Sequence, residues 1–120
     1  MDGVLVVDKP EGWSSHDAVN KLRRLANIRR IGHLGTLDPM ATGVLPLVIG
    51  RATRLAQFFV KGEKTYDAVI QFGYATDTYD RDGTPVTPVT EPSFDRAALE
   101  TALAGFTGLL QQRPPPISAK

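Results

Sequence analysis

The stretch GVLVVDKPEGWSSHDAVNKL, residues 3–22, contains the clearest signals of secondary structure in the chain. Residues 3–8 are mostly apolar, which is typical of a buried strand, and residues 9–12 (KPEG) supply the proline and glycine of a turn. Ser14 or Ser15 can then cap a helix, with Asp17 in its first turn, where the helix dipole favours an acid. The stretch therefore predicts a strand, a turn and a helix in succession.

Helical spacing divides the predicted helix into two faces. Val19, Leu22 and Leu25 recur at a helical period and are expected to pack in the core. Lys21 and Arg24 fall on another face, so we expect an amphipathic helix with a basic side.

The middle of the chain continues the alternation of strands and helices. Residues 44–49 predict a strand buried on both faces, and residues 51–59 predict a short helix. Residues 64–72 have the composition of a further strand, with apolar side chains on one face.

The last third of the chain is more polar. Residues 76–88 contain the turn signal Asp82-Gly83 and predict an exposed hairpin or loop. A second helix is expected to begin at Ser93 and to end at Gly105. Three consecutive prolines exclude a regular helix over residues 111–120.

These elements favour an α+β fold, because strands and helices intermix without a strict alternation. We expect a mixed, largely antiparallel sheet flanked by helices. The chain ends without a closing element after the prolines, so residues 1–120 are expected to be a fragment.

Composition excludes several classes of protein. The chain has 120 residues, of which 42% are hydrophobic and 22% charged, as in globular proteins. Because it has no cysteine, disulfide scaffolds and thiolate zinc sites are excluded. The longest apolar stretch, residues 44–49, is too short to span a membrane, and the N-terminus has no signal-peptide pattern. We therefore expect a cytoplasmic protein without a membrane partner.

The two halves of the chain differ in charge. Residues 1–64 contain ten Lys and Arg against six Asp and Glu, whereas acids outnumber bases in residues 65–120. A basic half favours an anionic partner, most commonly nucleic acid, although a solvated surface can also carry such a charge.

The most unusual segment is GHLGTLDPMATG, residues 32–43, which places His33 and Asp38 among glycines and apolar residues. A carboxylate in such surroundings can act as a nucleophile or general base if a cation keeps it ionised. Alternatively, Asp38 before Pro39 is a helix N-cap followed by a favoured first helical residue. His33 is either functional or a half-buried histidine that binds a backbone carbonyl.

One further question stays open from the residues alone. Tyr66 is either a strand aromatic in the core or a residue that stacks on a nucleobase. His16 and His33 lack the i,i+4 spacing of a zinc helix, so no metal site is expected.

Four blocks of sequence, in this order, resemble the bacterial tRNA pseudouridine-55 synthases of the TruB type. They are GVLVVDKPEGWSSHDAV, RRIGHLGTLDPMATGVLPLVIGRATRL, GEKTYDAVIQFGYATDTYDRDG and QQRPPPISAK, which cover essentially the whole chain. The resemblance implies the pseudouridine synthase fold and isomerisation of uridine 55 in the T-loop of tRNA, with the target base flipped out. It implies no cofactor, no metal and no obligate protein partner.

The resemblance also assigns roles to residues. Asp38 matches the catalytic aspartate, Tyr66 the tyrosine that stacks on the target base, and His33 a histidine that contacts the T-arm. The candidates for contact with the RNA backbone are the basic residues of the first helix and the segment after it: Lys21, Arg23, Arg24, Arg29 and Arg30.

The chain departs from the family pattern at its end. Ile117 stands where the family usually has an aromatic residue, and the lysine of the family's last motif is expected to follow Lys120. The arginine that pairs with the catalytic aspartate, the rest of the catalytic domain and a C-terminal RNA-binding domain are expected outside these residues. We therefore expect the isolated chain to be nearly inactive. The alternative is a non-catalytic RNA-binding fragment or module in which Asp38 only caps a helix.

Overall fold

The computed structural model describes residues 1–117, which divide after Tyr66 into two compact units. The first unit contains an antiparallel sheet in which the third strand lies between the other two. Its strands are β1 (Gly3–Lys9), β2 (Ile31–His33) and β3 (Gly43–Ile49). The predicted α+β class and antiparallel sheet are confirmed.

Helix α1 (Ser15–Ala26) follows β1 as the sequence predicts. Ser14 is its N-cap: the Asp17 N–H donates to Ser14 Oγ over 3.1 Å, and the Ser14 N–H donates to Asp17 Oδ2 over 2.9 Å. This reciprocal pair satisfies two backbone N–H groups that a helix start leaves without partners. Hydrogen bonds from the side chain and backbone of Ser14 lower the pKa of the Asp17 carboxyl below its usual value.

The core of the first unit lies between α1 and one face of the sheet. Its buried side chains are Ala18, Val19, Ile31, Leu37, Leu45, Leu47 and Ile49. The prediction that Val19 is buried is confirmed, and Leu22 packs at the margin of the core. The prediction for Leu25 is wrong, because this side chain is 72% exposed. Six residues turn a helix by about 600°, so Leu25 points about 120° away from Val19.

Strand β3 is buried over most of its length, but not on both faces throughout. Val44 is exposed, which contradicts the prediction for its position. Successive residues of a strand point to opposite faces, and Val44 lies on the face away from α1. After β3 the chain continues as a 3₁₀ helix (Gly50–Leu55) and the short helix α2 (Ala56–Phe59), so the predicted short helix is confirmed as two pieces.

The second unit contains a hairpin-like loop and helix α3 (Arg96–Ala104). Thr76 pairs with Pro85, and the Asp77 N–H donates to the carbonyl of Thr84, which confirms the loop prediction. Helix α3 ends at Gly105 as predicted but begins three residues after Ser93. Asp95 caps it by accepting a hydrogen bond from the Ala98 N–H over 2.8 Å.

The predicted strand over residues 64–72 is wrong in the part of the chain that the structure describes. No residue of this segment joins a β-ladder, and Ile70 and Phe72 are exposed. A strand needs a neighbour that pairs with its backbone groups, and strand composition alone does not supply one. Residues 111–117 are not helical, as the prolines predict, and the last three residues of the predicted segment lie outside the described range.

No helix within residues 1–117 combines the length and the apolar character that crossing a membrane requires.

Candidate active site

Asp38 lies on the loop that connects β2 to β3, and the residue before it is fixed to the first turn of α1. The side chain of Ser15 is buried and binds both backbone groups of Leu37. Ser15 Oγ accepts from the Leu37 N–H over 2.9 Å and donates to the Leu37 carbonyl over 3.3 Å. The N-terminus of the helix therefore sets the position of the loop on one side of Asp38.

The residue after Asp38 is fixed to the turn that follows β1. The carbonyl of Pro39 accepts from the Gly12 N–H over 2.8 Å and from Lys9 Nζ over 3.1 Å. Asp38 is thus held between two hydrogen-bonded neighbours, on a loop that is anchored at both sides.

Lys9 is the buried centre of this arrangement, with a side chain that is 0% exposed. Its ammonium group also donates to the carbonyls of Pro10 over 3.1 Å and Trp13 over 2.5 Å. Burial lowers the pKa of Lys9, and the negative charges of Asp38 and Asp17 act in the opposite direction. The Asp38 carboxylate therefore lies within electrostatic reach of a buried cation.

The carboxylate of Asp38 itself is exposed, and it has no hydrogen bond or ion pair with any residue of the described range 1–117. The prediction that Asp38 caps a helix is wrong, because residues 39–40 form only a turn before β3. The Ala41 N–H donates to the backbone carbonyl of Asp38 over 3.0 Å, so the turn uses the backbone of Asp38. The side chain remains available to a ligand.

His33 lies at the end of β2, opposite Leu47 of β3. The ring is half-buried, and Nδ1 is 2.9 Å from the carbonyl oxygen of Gly35. A carbonyl oxygen only accepts, so Nδ1 carries the hydrogen in this contact and Nε2 points elsewhere. The interpretation of His33 as a histidine bound to a backbone carbonyl is confirmed, and this bond also fixes the ring next to the Asp38 loop.

Tyr66 does not pack in a core, since its side chain is 56% exposed. Two residues earlier, Lys64 lies against the Asp38 loop: a Cβ added at Gly35 would be 2.8 Å from Lys64 Cε. Gly35 has a φ of +144°, a backbone conformation that favours glycine. The contact of Lys64 with Gly35 brings the segment that carries Tyr66 to the loop that carries His33 and Asp38.

The five basic candidates divide into two groups. Arg23 donates to the Ile31 carbonyl over 2.9 Å, and Arg30 donates from Nε to Thr53 Oγ1 over 2.8 Å. These two guanidinium groups are engaged in holding the unit together. Lys21, Arg24 and Arg29 are exposed and, within residues 1–117, have no hydrogen-bonded or ion-paired partner.

Sequence reasoning missed Lys9 and the bond between Ser15 and Leu37. The alternation of side chains along β1 could have predicted that Lys9 is buried, because it places this lysine on the same face as the apolar residues Leu5 and Val7. No pattern in the sequence pairs Ser15 with a residue 22 positions later.

Within the described residues, no group of three or more His, Asp or Glu side chains is arranged to hold a metal ion.

Comparison with known proteins links this arrangement to one family. The pattern of the TruB family pseudouridylate synthases (N terminal domain) matches residues 23–120. The tRNA pseudouridine synthase B of Solibacter usitatus is 58% identical over 120 residues, which are 100% of this chain and 41% of that protein. The enzyme of the same name from Opitutus terrae is 48% identical over 119 residues, 99% of this chain and 49% of that protein.

A solved structure has the same fold over nearly the whole chain. A chain in the crystal structure of a Cbf5-Nop10-Gar1 complex aligns with a TM-score of 0.63 and 28% identity, covering 98% of this chain and 30% of that one. The chain thus spans less than half the length of the relatives that it matches. On the match over residues 23–120, this chain belongs to the TruB family of pseudouridylate synthases.

Proposed function

We propose that the protein containing this chain isomerises uridine to pseudouridine at position 55, in the T-loop of tRNA, with Asp38 as the catalytic residue. The observation that carries the proposal is the exposed carboxylate of Asp38, which no described residue engages, on a loop fixed at both sides by Lys9 and Ser15. The names of the relatives support tRNA as the substrate.

The reaction is an isomerisation that leaves the elemental composition of the nucleotide unchanged. The bond from N1 of the base to C1′ of the ribose breaks, the base rotates, and a bond from C5 to C1′ forms. The hydrogen on C5 is lost, and N1 gains one. No electron is gained or lost overall, so the chemistry requires a positioned carboxylate rather than a redox group.

The target base must leave the stack to reach Asp38, and extrusion costs a few kcal/mol. We propose that Tyr66 stacks on the flipped base and that His33 fills the space that the base leaves in the T-loop. The exposure of Tyr66 and the fixed ring of His33 support these roles. Phosphate contacts from basic residues help to offset the cost of extrusion.

We propose that the remainder of the full-length protein completes the catalytic domain, contributes the arginine that pairs with Asp38, and adds a C-terminal RNA-binding domain. The proposal is supported by the share of the relatives that this chain covers, 41% and 49%.

The experiment that tests the proposed substrate uses the full-length protein and two tRNA transcripts. One transcript has uridine at position 55, and its matched control has cytidine there. Pseudouridine is mapped by carbodiimide modification and primer extension. We expect one modification, at position 55 of the first transcript only. Modification at another uridine, or none in either transcript, would contradict the proposal.

A further inference from the structure

Two adjoining grooves run along helix α1 and belong to neither the core nor the Asp38 loop. The larger has a volume of about 780 Å³ and is lined by Gly12, Trp13, Asp17, Asn20, Arg23 and Arg24. The smaller has a volume of about 340 Å³ and is lined by Arg23, Arg24, Asn27, Ile28 and Arg29. Because they share Arg23 and Arg24, they form one continuous surface, which we call the α1 groove.

The α1 groove begins beside the candidate catalytic residue. Gly12 lines its first part, and the N–H of Gly12 donates over 2.8 Å to the carbonyl of Pro39, the residue after Asp38. A strand whose target nucleotide lies at Asp38 therefore has this groove as an adjacent path along the helix.

The charge of the α1 groove suits a polyanion. Arg24 and Arg29 are exposed, and no residue within 1–117 pairs with either. Its one acid, Asp17, is engaged by Ser14, whose N–H and Oγ donate to Asp17 Oδ2 over 2.9 and 2.7 Å. Two unpaired guanidinium groups are thus available to phosphates.

The groove also presents an aromatic surface at the end nearest Asp38. Trp13 is 37% exposed and lines the groove, and its backbone carbonyl accepts from the buried ammonium of Lys9 over 2.5 Å. The backbone of Trp13 is therefore anchored at the edge of the groove. Aromatic residues next to cations are the combination that binds single-stranded nucleic acid, by stacking and by phosphate contacts.

We propose that the α1 groove binds the RNA strand next to the target nucleotide, with Trp13 stacking on a base and Arg24 and Arg29 binding phosphates. The inference rests on the proposed function for its substrate, an RNA, and it assigns to Trp13 a role that the family resemblance does not include. Arg23 is not among the proposed phosphate-binding residues, because its guanidinium group binds the Ile31 carbonyl.

The test measures the dissociation constant of the full-length protein for a tRNA transcript over a range of NaCl concentrations. For Arg24→Gln and for Arg29→Gln, we expect the slope of log K against log salt to fall by about 0.7 to 0.9, the value of one phosphate contact. For Trp13→Leu, we expect about tenfold weaker binding at every salt concentration with an unchanged slope, and Trp13→Phe should recover most of it.

The matched control is Arg51→Gln, since Arg51 lies outside the groove and pairs with Asp2 over 2.7 Å. It should leave the slope unchanged. Wild-type affinity and slope in Trp13→Leu, Arg24→Gln and Arg29→Gln would overturn the inference, as would weakened binding that Trp13→Phe does not restore. Circular dichroism melting checks that each variant is folded.

The single-turnover rate of the wild-type protein separates this inference from the proposed function. If the wild-type protein forms no pseudouridine, the proposed function fails, and the binding measurements still decide whether the groove holds RNA.

Discussion

Lys9 links two backbone segments at one buried point. Its ammonium group binds carbonyls of the turn after β1 and of the Asp38 loop, at Pro10, Trp13 and Pro39. A lysine so buried is costly unless each hydrogen is bonded, and here three carbonyls accept from it. The same group places a positive charge close to Asp38.

We predict that Lys9→Met lowers the free energy of unfolding of the full-length protein by roughly 2 kcal/mol or more. Methionine fills a similar volume but removes the ammonium donor from three carbonyls, of which that of Pro39 keeps the Gly12 N–H. Urea unfolding measures the effect, and turnover should fall because the Asp38 loop loses an anchor. An unchanged unfolding midpoint would show that these hydrogen bonds do not hold the loop. Lys21→Met, at an exposed position of α1, is the control.

Gly35 combines a positive φ of +144° with a close approach of Lys64. We predict that Gly35→Ala destabilises the protein by about 1 to 3 kcal/mol, mainly through backbone strain. The end of a lysine side chain can move aside, so adding Lys64→Ala should recover only a small part of the loss. Thermal unfolding of the single and double variants measures both contributions. Full recovery in the double variant would show that the contact, and not the backbone, requires glycine.

At the scale of elements, helix α1 supports the site through its first turn. The capping box of Ser14 and Asp17 fixes where the helix starts, and Ser15 then contacts Leu37. The start of the helix and the position of the Asp38 loop are therefore coupled.

We predict that Asp17→Ala destabilises the protein at neutral pH and does so less as the pH falls. The folded state lowers the pKa of Asp17 from 3.8, so its stabilising contribution is present above that value. It is lost as the pH falls through the lower folded-state value. Urea unfolding of the wild-type and Asp17→Ala proteins at pH 7 and at pH 3 gives the difference in their free energy of unfolding at each pH. An equal difference at both pH values would contradict this assignment of the carboxylate.

The sequence predicts elements well where local patterns decide them. The place of strand β1, the start of α1 at Ser14 and the end of α3 at Gly105 each follow from residues close to the boundary. The prediction that β1 is buried is wrong, because Val4 and Val6 are exposed. Residues 64–72 show the limit, because strand composition does not form a strand without a neighbour to pair with.

The candidate site could likewise be predicted from the sequence only in part. The resemblance identifies His33, Asp38 and Tyr66 as candidates, and their proposed roles in the reaction remain predictions. What holds Asp38 depends on contacts between distant residues, such as Lys9 with Pro39, 30 positions apart. The pairing of Arg23 and Arg30 with other parts of the unit likewise appears only in three dimensions.

The described residues leave many large apolar side chains exposed. Phe58, Phe59 and Ile70 are examples. A folded monomer rarely leaves extensive contiguous apolar surface exposed. We therefore propose that other parts of the full-length protein cover these residues.

We predict that the isolated chain of residues 1–120 forms pseudouridine at less than about one hundredth of the rate of the full-length protein. One residue missing from an active site that acts as a unit removes most of the rate, and here the proposed arginine partner of Asp38 is outside the chain. Release of tritium from tRNA labelled at C5 of uridine measures both rates. Comparable rates would show that residues 1–120 contain the complete catalytic machinery.

We propose that the exposed carboxylate of Asp38 performs the chemistry. Asp38→Asn preserves the size of the side chain and removes its charge, and no described residue depends on that charge for a hydrogen bond. The most direct measurement compares tritium release and tRNA affinity for wild-type and Asp38→Asn full-length protein. We predict that tritium release falls at least about a thousandfold, while the dissociation constant for tRNA stays within a few fold. Turnover that survives in Asp38→Asn would show that another group performs the chemistry.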